Sequence, residues 1–382
     1  MQTFTFLHST HRVLAGSGTL DCLADIARET GASRPAVILD GYFDTADMRA
    51  RLAALLGGAT RFHAEPQREP DTTTVAACHA FLTQAPFDLL VALGGGSAMD
   101  AAKVARVLVS NPGELRALAG PVGVKMKPHS SLFVCVPTTA GTGSEVSESA
   151  VIAAAGDTYK LIFRSAEMSA RIAILDPLLT LSAPASVTAA SGYDAVTHAV
   201  EAFTARTANP FADAMALAAM QALAEHLPIV NAEPGNVTSR GACLVASCQA
   251  AIAFNSANLG LAHAISGALG ALHHVGHGLG NALALPWTMA FNQPALGAKG
   301  ETVARIFAGA TAAAGLSALR HRLKLDIPLD SVLPSNADYD AIAAGAAKSG
   351  QVRVNPRAVE IADLRAILEA MRRPTGGAQP AL

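Results

Sequence analysis

The chain has 382 residues, of which 51% are hydrophobic and 15% are charged, and its formal net charge is −2. This length is sufficient for two domains with cores of their own. The small net charge and the lack of a long basic run argue against nucleic acid or an anionic membrane as a main partner. Apolar residues are abundant and charges few, so either the core is large or another subunit covers part of the surface. The second explanation predicts a homodimer or a larger homo-oligomer.

The five cysteines are scattered and form no CxxC motif. The N-terminal segment lacks the basic region and following apolar run of a signal peptide. Both features favour a cytoplasmic protein with reduced thiols.

The first half of the chain alternates short apolar runs with helical patterns. The apolar runs are Pro35–Asp40, Asp88–Ser97, Leu132–Thr139 and Arg171–Pro177, and helical periodicity occupies residues 20–30, 46–58 and 98–110. Continuous apolar runs suit parallel strands that are buried on both faces. The alternation predicts an α/β domain with a doubly wound parallel sheet. Residues 150–163 predict an additional hairpin, with its turn at Gly156-Asp157.

The pattern changes after Asp176-Pro177, where alanine-rich helical periodicity replaces the apolar runs. We therefore predict an α/β domain over residues 1–180 and an all-helical domain over residues 181–382. Residues 241–298 contain no Asp, Glu, Lys or Arg. Polar side chains interrupt this stretch every few residues, so it predicts the buried core of the helical domain rather than a membrane span.

A glycine-rich turn, "ALGGGSAMDAAK", follows the second of the four apolar runs and begins a helix. Three consecutive glycines allow close approach of a ligand to the backbone, and the free N–H groups of a helix N-terminus attract anions. The turn matches neither the P-loop nor the GxGxxG fingerprint. The alternative is a tight strand-to-helix turn with no ligand.

A second polar loop, "VPTTAGTGSEVSES", follows the next apolar run, and its hydroxyl groups include those of Thr138, Thr139 and Thr142. Two such loops after buried strands favour a nucleotide at the carboxyl ends of those strands. Asp40 ends the first run, where a carboxylate could bind a ribose diol and repel a 2′-phosphate, which favours NAD over NADP. The alternatives are a hydroxyl-rich surface loop and an aspartate that caps a turn.

A carboxylate and an imidazole occupy the apolar stretch "SGYDAVTHAVEAF". Asp194 and His198 are four residues apart, so they share one face of the predicted helix. Burial of an unpaired carboxylate is costly unless it meets a cation or a metal. A simple Asp–His pair is the alternative.

His263 and His277 lie further along, in the charge-free stretch. They are 14 residues apart, which on one straight helix means roughly 21 Å at about 1.5 Å per residue. The chain must turn between them if they share an ion, and Gly267, Gly270 and Gly276 permit a turn. One aspartate with three histidines is a ligand set suited to Fe²⁺ or Zn²⁺.

The motifs "GGGSAMDAAK", "PTTAGTGSEVS", "AILDP", "DAVTHAVEAF" and "GHGLGNALALP" occur in this order over most of the chain. The chain thereby resembles the iron-containing (group III) alcohol dehydrogenase family. The resemblance implies a dehydroquinate-synthase-like fold, with an N-terminal Rossmann-like domain, a helical C-terminal domain and an active site between them.

The resemblance also implies residue roles. The family's metal ligands fall on Asp194, His198, His263 and His277, and the last two are expected to be essential for turnover. The cofactor-binding positions fall on Asp40, Gly95, Gly96, Ser97, Asp100, Thr138, Thr139, Thr142 and Lys160. The cofactors implied are NAD(H) and one divalent metal, Fe²⁺ with Zn²⁺ as the alternative.

The implied reaction is hydride transfer between the nicotinamide and a small alcohol or carbonyl compound, with the metal acting as a Lewis acid. One departure from the family pattern is Gly267, where many members have a histidine close to the nicotinamide. Three rival functions are a metal- and NAD-dependent lyase of the dehydroquinate synthase type, a maleylacetate-type reductase, and a catalytically relict nucleotide-binding protein. The intact ligand set argues against the second, and Gly267 is the support for the third.

Overall fold

Two compact units make up the chain, in a computed structural model that describes residues 4–6, 8–65, 69–120, 124–155 and 160–380. The first unit comprises the described parts of His8–Thr139 and Gly143–Ser182. The second comprises the described parts of Met1–Leu7, Ala140–Thr142 and Ala183–Leu382.

A six-stranded parallel sheet forms the centre of the first unit. Its strands are β1 (Arg12–Ala15), β2 (Pro35–Asp40), β3 (Arg61–Glu65), β4 (Leu89–Gly94), β5 (Leu132–Pro137) and β8 (Ile172–Leu175). They lie in the order β1-β8-β5-β4-β2-β3. Strands β2, β4 and β5 are buried over most of their length, whereas the edge strands β1 and β3 are partly exposed.

Helices connect these strands and cover both faces of the sheet. They are α1 (Leu23–Thr30), α2 (Ala46–Leu56), α3 (Thr72–Thr83) and α4 (Gly96–Ser110). One core contains Leu39, Val91 and Val134 with Leu23 and Leu52, and the core on the opposite face contains alternate residues of the same strands. Two apolar faces explain why the central strands are continuous apolar runs.

The predicted hairpin is present as a separate antiparallel pair, β6 (Ser149–Ala153) and β7 (Lys160–Arg164). Its predicted turn at Gly156-Asp157 lies outside the described residues.

All regular secondary structure in the described part of the second unit is helical. Its helices are α5 (Ala185–Thr204), α6 (Pro210–Ala232), α7 (Val237–Ala257), α8 (Leu261–His273), α9 (His277–Ile306), α10 (Ala312–Arg322), α11 (Tyr339–Ala347) and α12 (Ile361–Ala370). Helix α9 is interrupted at Gly297, whose φ is 52° and ψ −139°. The predicted α/β and all-helical architecture is confirmed.

Helix α7 is long and apolar enough to cross a membrane by length and composition alone. However, 56% of its apolar window is buried inside the protein, as in the core helix of a folded domain. The buried alanines of α7 pack in the same apolar core as residues of α5, α6, α8 and α9.

Candidate metal centre and nucleotide site

Helix α5 carries the predicted carboxylate–imidazole pair on a buried face. Asp194 is 2% exposed and His198 is 4% exposed. Their side chains lie on one face because they are four residues apart, and Asp194 Oδ1 is 3.7 Å from His198 Nε2. This distance is too long for a hydrogen bond.

The two other histidines reach this pair from separate helices. His263 lies in the first turn of α8, and His277 is the first residue of α9. The chain turns at His274, which has a left-handed φ of 56°, and at Gly276, which precedes α9. Gly267 and Gly270, also predicted to allow the turn, lie within α8.

The four side chains converge on one point. One ligand atom from each of Asp194, His198, His263 and His277 lies within 4.8 Å of the others. Asp194 Oδ1 is 3.7 Å from the Nε2 atom of each of the three histidines. Ligands about 2.1 Å from a tetrahedral ion stand about 3.4 Å apart, so this spacing fits a single small cation.

Each imidazole has its Nδ1 atom engaged on the side away from Asp194. His198 Nδ1 is 3.2 Å from the carbonyl oxygen of Gly141, and His263 Nδ1 is 2.6 Å from Glu201 Oε2. His277 Nδ1 is 3.4 Å from Ser266 Oγ. An acceptor at Nδ1 leaves the lone pair on Nε2, the atom that faces Asp194.

Protonation states also suit a cation. Burial lowers the pKa of His198 to about 3, so its imidazole is neutral at pH 7. Burial opposes ionisation of Asp194, but His198, His277 and His263 outweigh it, and the Asn281 amide adds to their effect, so its pKa is lowered. An ionised carboxylate and a neutral imidazole are the forms of Asp194 and His198 that ligate a divalent metal.

Asn281 supplies a further polar group to the same point. Its Nδ2 atom is 2.6 Å from Asp194 Oδ1, 3.0 Å from His263 Nε2 and 3.3 Å from His277 Nε2. Its Oδ1 atom is buried with no hydrogen-bond partner among the described residues. An N–H donor thus lies where the lone pairs of the carboxylate and the imidazoles converge. The carboxylate and the three imidazoles are themselves a ligand set that fits a metal ion.

His277 is the most exposed of the four side chains. The side chain of His277 is 41% exposed, whereas those of Asp194, His198 and His263 are at most 4% exposed. Gly267 lies one turn after His263 on α8, and a Cβ atom there would meet no described atom within 4 Å. A small molecule can therefore approach beside His277.

A second group of metal-ligating side chains lies in the first unit, where His63, Glu65 and Cys78 also converge within 4.8 Å. Here the contacts are hydrogen bonds: Glu65 Oε1 accepts from the Cys78 thiol at 2.8 Å and lies 2.6 Å from His63 Nε2. Burial and the Glu65 carboxylate raise the pKa of Cys78, which keeps it a thiol. We assign this group to internal hydrogen bonding.

The glycine-rich turn joins β4 to α4. Gly95 is the N-cap of α4 and has no side chain to cap this helix end, so the first N–H groups of α4 can serve an anion. Gly94, the first of the three consecutive glycines, is the sterically restricted position. A Cβ atom there would lie 2.7 Å from Asp40 Cβ and 2.8 Å from Ala98 Cβ. Gly96 and Ser97 form the first turn of α4.

Other predicted cofactor residues lie at the carboxyl ends of neighbouring strands. Asp40 ends β2 and Thr138 follows β5, while β4 lies between them. Thr138 N donates to Gly94 O at 3.0 Å, and Thr139 follows it. Asp40 Oδ1 accepts from Tyr42 N at 2.9 Å, which is the turn contact considered as its alternative. The strand order changes direction between β2 and β4, where open α/β sheets bind ligands.

The hydroxyl loop is divided between the units. Thr138 and Thr139 belong to the sheet unit, whereas Ala140–Thr142 belongs to the helical unit. Gly141 packs against α5, since a Cβ atom there would lie 2.6 Å from Ser191 Cβ. Its carbonyl oxygen contacts His198, so this loop also contributes to the metal centre.

Asp100 and Lys160 already have protein partners. Asp100 accepts from Ser144 Oγ at 2.6 Å and from Val151 N at 2.8 Å, and it lies 3.8 Å from Lys103 Nζ. Lys160 forms an ion pair with Glu69. These contacts attach β6 to α4 and β7 to Glu69, and the roles of Asp100 and Lys160 toward a cofactor stay predictions.

Sequence reasoning missed Glu201, Asn281 and Gly141. Glu201 follows His198 by three residues on α5, and Asn281 follows His277 by four residues on α9. The sequence did contain a signal for Glu201 and Asn281, because each is a polar residue three or four positions after a predicted ligand and so shares its helix face. Gly141 carried no such signal, because its contact with His198 is made through a backbone carbonyl.

Comparison with known proteins connects this site to a family. Residues 10–177 match the family described as "Iron-containing alcohol dehydrogenase", and residues 188–372 match "Fe-containing alcohol dehydrogenase family, C-terminal". The probable alcohol dehydrogenase EutG of Escherichia coli (strain K12) is 35% identical over 356 residues, covering 91% of this chain and 90% of EutG.

Solved structures agree with this match. A crystal structure of 1,3-propanediol oxidoreductase superposes with a TM-score of 0.90 at 28% identity, covering 97% of this chain and 100% of that one. Sulfoacetaldehyde reductase from Bifidobacterium kashiwanohense, solved in complex with NAD⁺, gives a TM-score of 0.90 at 26% identity, covering 97% and 99%. The fold is thus the dehydroquinate-synthase-like fold predicted above. The chain belongs to the iron-containing alcohol dehydrogenase family, as an oxidoreductase that acts on CH–OH groups with NAD(H) and a divalent metal.

Proposed function

We propose that this chain interconverts a small alcohol and its aldehyde or ketone, with one Fe²⁺ or Zn²⁺ held by Asp194, His198, His263 and His277. The supporting observation is the convergence of these four side chains within 4.8 Å, with each Nε2 atom 3.7 Å from Asp194 Oδ1. When bound, the metal would polarise the substrate oxygen while the nicotinamide exchanges a hydride with the adjacent carbon.

The protein's own contribution is arrangement and charge. Asp194 supplies one negative charge, and the neutral His198 supplies a lone pair whose direction is fixed by Gly141. His277 borders the open side of the cluster, so the substrate is expected to approach there. The buried surroundings exclude water from the other sides, which strengthens electrostatic interactions within the site.

The cofactor is assigned to the sheet unit and the substrate to the helical unit, as the predicted domains at residues 1–180 and 181–382 require. Gly95, Gly96 and Ser97 would offer N–H groups to the pyrophosphate, and Thr138 and Thr139 would offer hydroxyl groups. Thr142 belongs to the helical unit, and its role toward the cofactor stays a prediction. Asp40, at the end of β2, would accept hydrogen bonds from the adenosine ribose and disfavour a 2′-phosphate. Asp100 and Lys160 would act near the cofactor through the segments they anchor.

Reconstitution of metal-free protein tests this function. The apoprotein is loaded anaerobically with Fe²⁺ or Zn²⁺, and NADH oxidation is followed with a panel of small aldehydes and ketones. We expect metal-dependent turnover, with net NADH formation in the reverse direction from the matching alcohol. Turnover without net NADH change would favour the lyase of the dehydroquinate synthase type. A correctly metallated protein that is inactive on the whole panel would favour the relict protein.

We also infer a cytoplasmic homo-oligomer. Phe211 is 57% exposed and Phe4 37% exposed, and their rings lie 6.0 Å apart, so they form an apolar patch with Phe6 on the helical unit. Burial of such a patch against a second copy would be favourable. The free thiols of the five cysteines suit a reducing compartment. Light scattering at micromolar concentration should give at least the dimer mass, and a monomer would contradict the inference.

A further inference from the structure

Glu201 is a buried carboxylate that no part of the proposed reaction uses. It lies on α5 three residues after His198 and is 5% exposed. Oε2 accepts from Gly260 N at 2.7 Å and is 2.6 Å from His263 Nδ1, and Oε1 accepts from Ala262 N at 2.6 Å. The carboxylate therefore faces three donors from one short segment.

The contacts of Glu201 indicate which atom of His263 carries a hydrogen. Both carboxylate oxygens already accept an N–H group at the start of α8. Carboxylate oxygens are acceptors, so the short contact with His263 is made by a hydrogen on Nδ1. The lone pair of His263 is then on Nε2, which is 3.7 Å from Asp194 Oδ1.

We propose that Glu201 is a positioning residue that fixes the tautomer and ring orientation of His263 for metal binding. The proposal rests on the proposed metal site. A carboxylate behind a ligating histidine also increases the basicity of the ring, and loss of such a partner typically weakens metal binding about 10–100-fold. Because Glu201 shares α5 with Asp194 and His198, one helix would supply two ligands and the group that orients a third.

A purely structural role is the competing explanation. Glu201 caps the N-terminus of α8, so its removal is expected to lower the stability of the folded protein in either case. The two roles differ in the metal affinity of the protein that remains folded. A cap alone would leave that affinity unchanged.

Glu201→Gln separates the two roles at nearly constant volume. A glutamine amide has an oxygen that accepts and an NH₂ group that donates. Its oxygen can therefore face either Ala262 N or the Gly260 N and His263 Nδ1 pair, but not both. If its NH₂ group faces His263, the ring must accept at Nδ1 and carry its hydrogen on Nε2, toward Asp194. If its oxygen faces His263, the carboxylate charge is still lost.

The measurement is Zn²⁺ affinity of the full-length metal-free protein, by competition with a chromophoric chelator at fixed pH. The melting temperature of the same metal-free samples shows that they are folded. We expect Glu201→Gln to bind Zn²⁺ about 10–100-fold more weakly than wild type. Thr197→Val is the matched control, because it removes another buried hydrogen bond of α5, from Thr197 Oγ1 to Tyr193 O at 2.8 Å. Its affinity should equal that of wild type.

Wild-type Zn²⁺ affinity in folded Glu201→Gln would overturn the positioning role. Should that variant not fold, Glu201→Asp replaces it, because the shortened carboxylate keeps its charge but cannot reach all three donors. Weaker binding in Glu201→Asp supports the proposal, and wild-type binding contradicts it. His263→Ala distinguishes failure of the proposed metal site from failure of the role proposed for Glu201. If this variant binds Zn²⁺ as tightly as wild type, the assignment of the metal site is wrong. If it binds weakly while Glu201→Gln binds normally, only the role of Glu201 is wrong.

Discussion

Gly94 provides a test of how closely strand, helix and nucleotide site are packed. In Gly94→Ala the new methyl group would lie 2.7 Å from Asp40 Cβ and 2.8 Å from Ala98 Cβ. Carbon atoms pack at about 3.5–4.0 Å, so β2 or α4 must shift by roughly 1 Å. Neither Cβ atom can move without its backbone. Overpacking of this kind costs about 1–3 kcal/mol.

This cost sets the expected change in melting temperature. The sheet unit has roughly 170 residues, for which each kcal/mol corresponds to about 2–4 °C. Gly94→Ala should therefore melt about 2–12 °C below wild type in scanning calorimetry.

Gly95→Ala is the matched control for this substitution. Its Cβ atom would lie 3.7 Å from Thr139 Oγ1, an ordinary contact, and its φ of −71° and ψ of −178° suit alanine. The variant should melt near the wild-type temperature. Its methyl group would nevertheless obstruct the approach of the pyrophosphate, so we expect NADH binding to weaken about tenfold in a fluorescence titration. Equal melting temperatures for the two variants would refute the steric reasoning.

Three further predictions concern the metal, the cofactor and the open side of the cluster. His263→Ala or His277→Ala should lose most bound metal and nearly all turnover but retain NADH binding. Metal analysis and NADH titration of the same samples check this, and full metal content in the variants would contradict it. Asp40→Gly should reduce or reverse the preference for NADH over NADPH, measured as the ratio of kcat/KM values; a wild type that prefers NADPH would show the role of Asp40 to be wrong. Gly267→His should fold, because a Cβ atom there meets no described atom within 4 Å, and should change the pH–rate profile; an unchanged profile would exclude a titrating relay at that position.

The central strands could be predicted from the sequence because both of their faces are apolar. Strands β2, β4 and β5 begin where their apolar runs begin or within one residue of that point. The edge strands β1 and β3 were missed. Their sequences, RVLA and RFHAE, contain at most three consecutive apolar residues, since an edge strand buries less of its surface. Their pairing depends on a neighbouring strand that is distant in the sequence.

The four side chains that converge could be recognised as candidate ligands because each is a polar residue in an apolar or charge-free stretch of the sequence. What surrounds them could not. The contact between His198 and the Gly141 carbonyl joins residues 57 positions apart, and the contact between His263 and Glu201 joins residues 62 positions apart. Helical spacing identifies which residues share a face, but it does not identify which backbone group or side chain another segment brings to that face.

Helix α5 shows why the polar groups of this site lie in one stripe. Asp194, His198 and Glu201 are at positions i, i+4 and i+7, which is the spacing that normally directs apolar residues into a core. A stripe of three buried polar side chains is costly unless each one meets a partner. The structure provides a partner for each: Asn281 for Asp194, Gly141 for His198, and the start of α8 for Glu201. These partners hold the side chains in place in the structure without a metal, so the free energy of binding a metal at the proposed site would not have to order them.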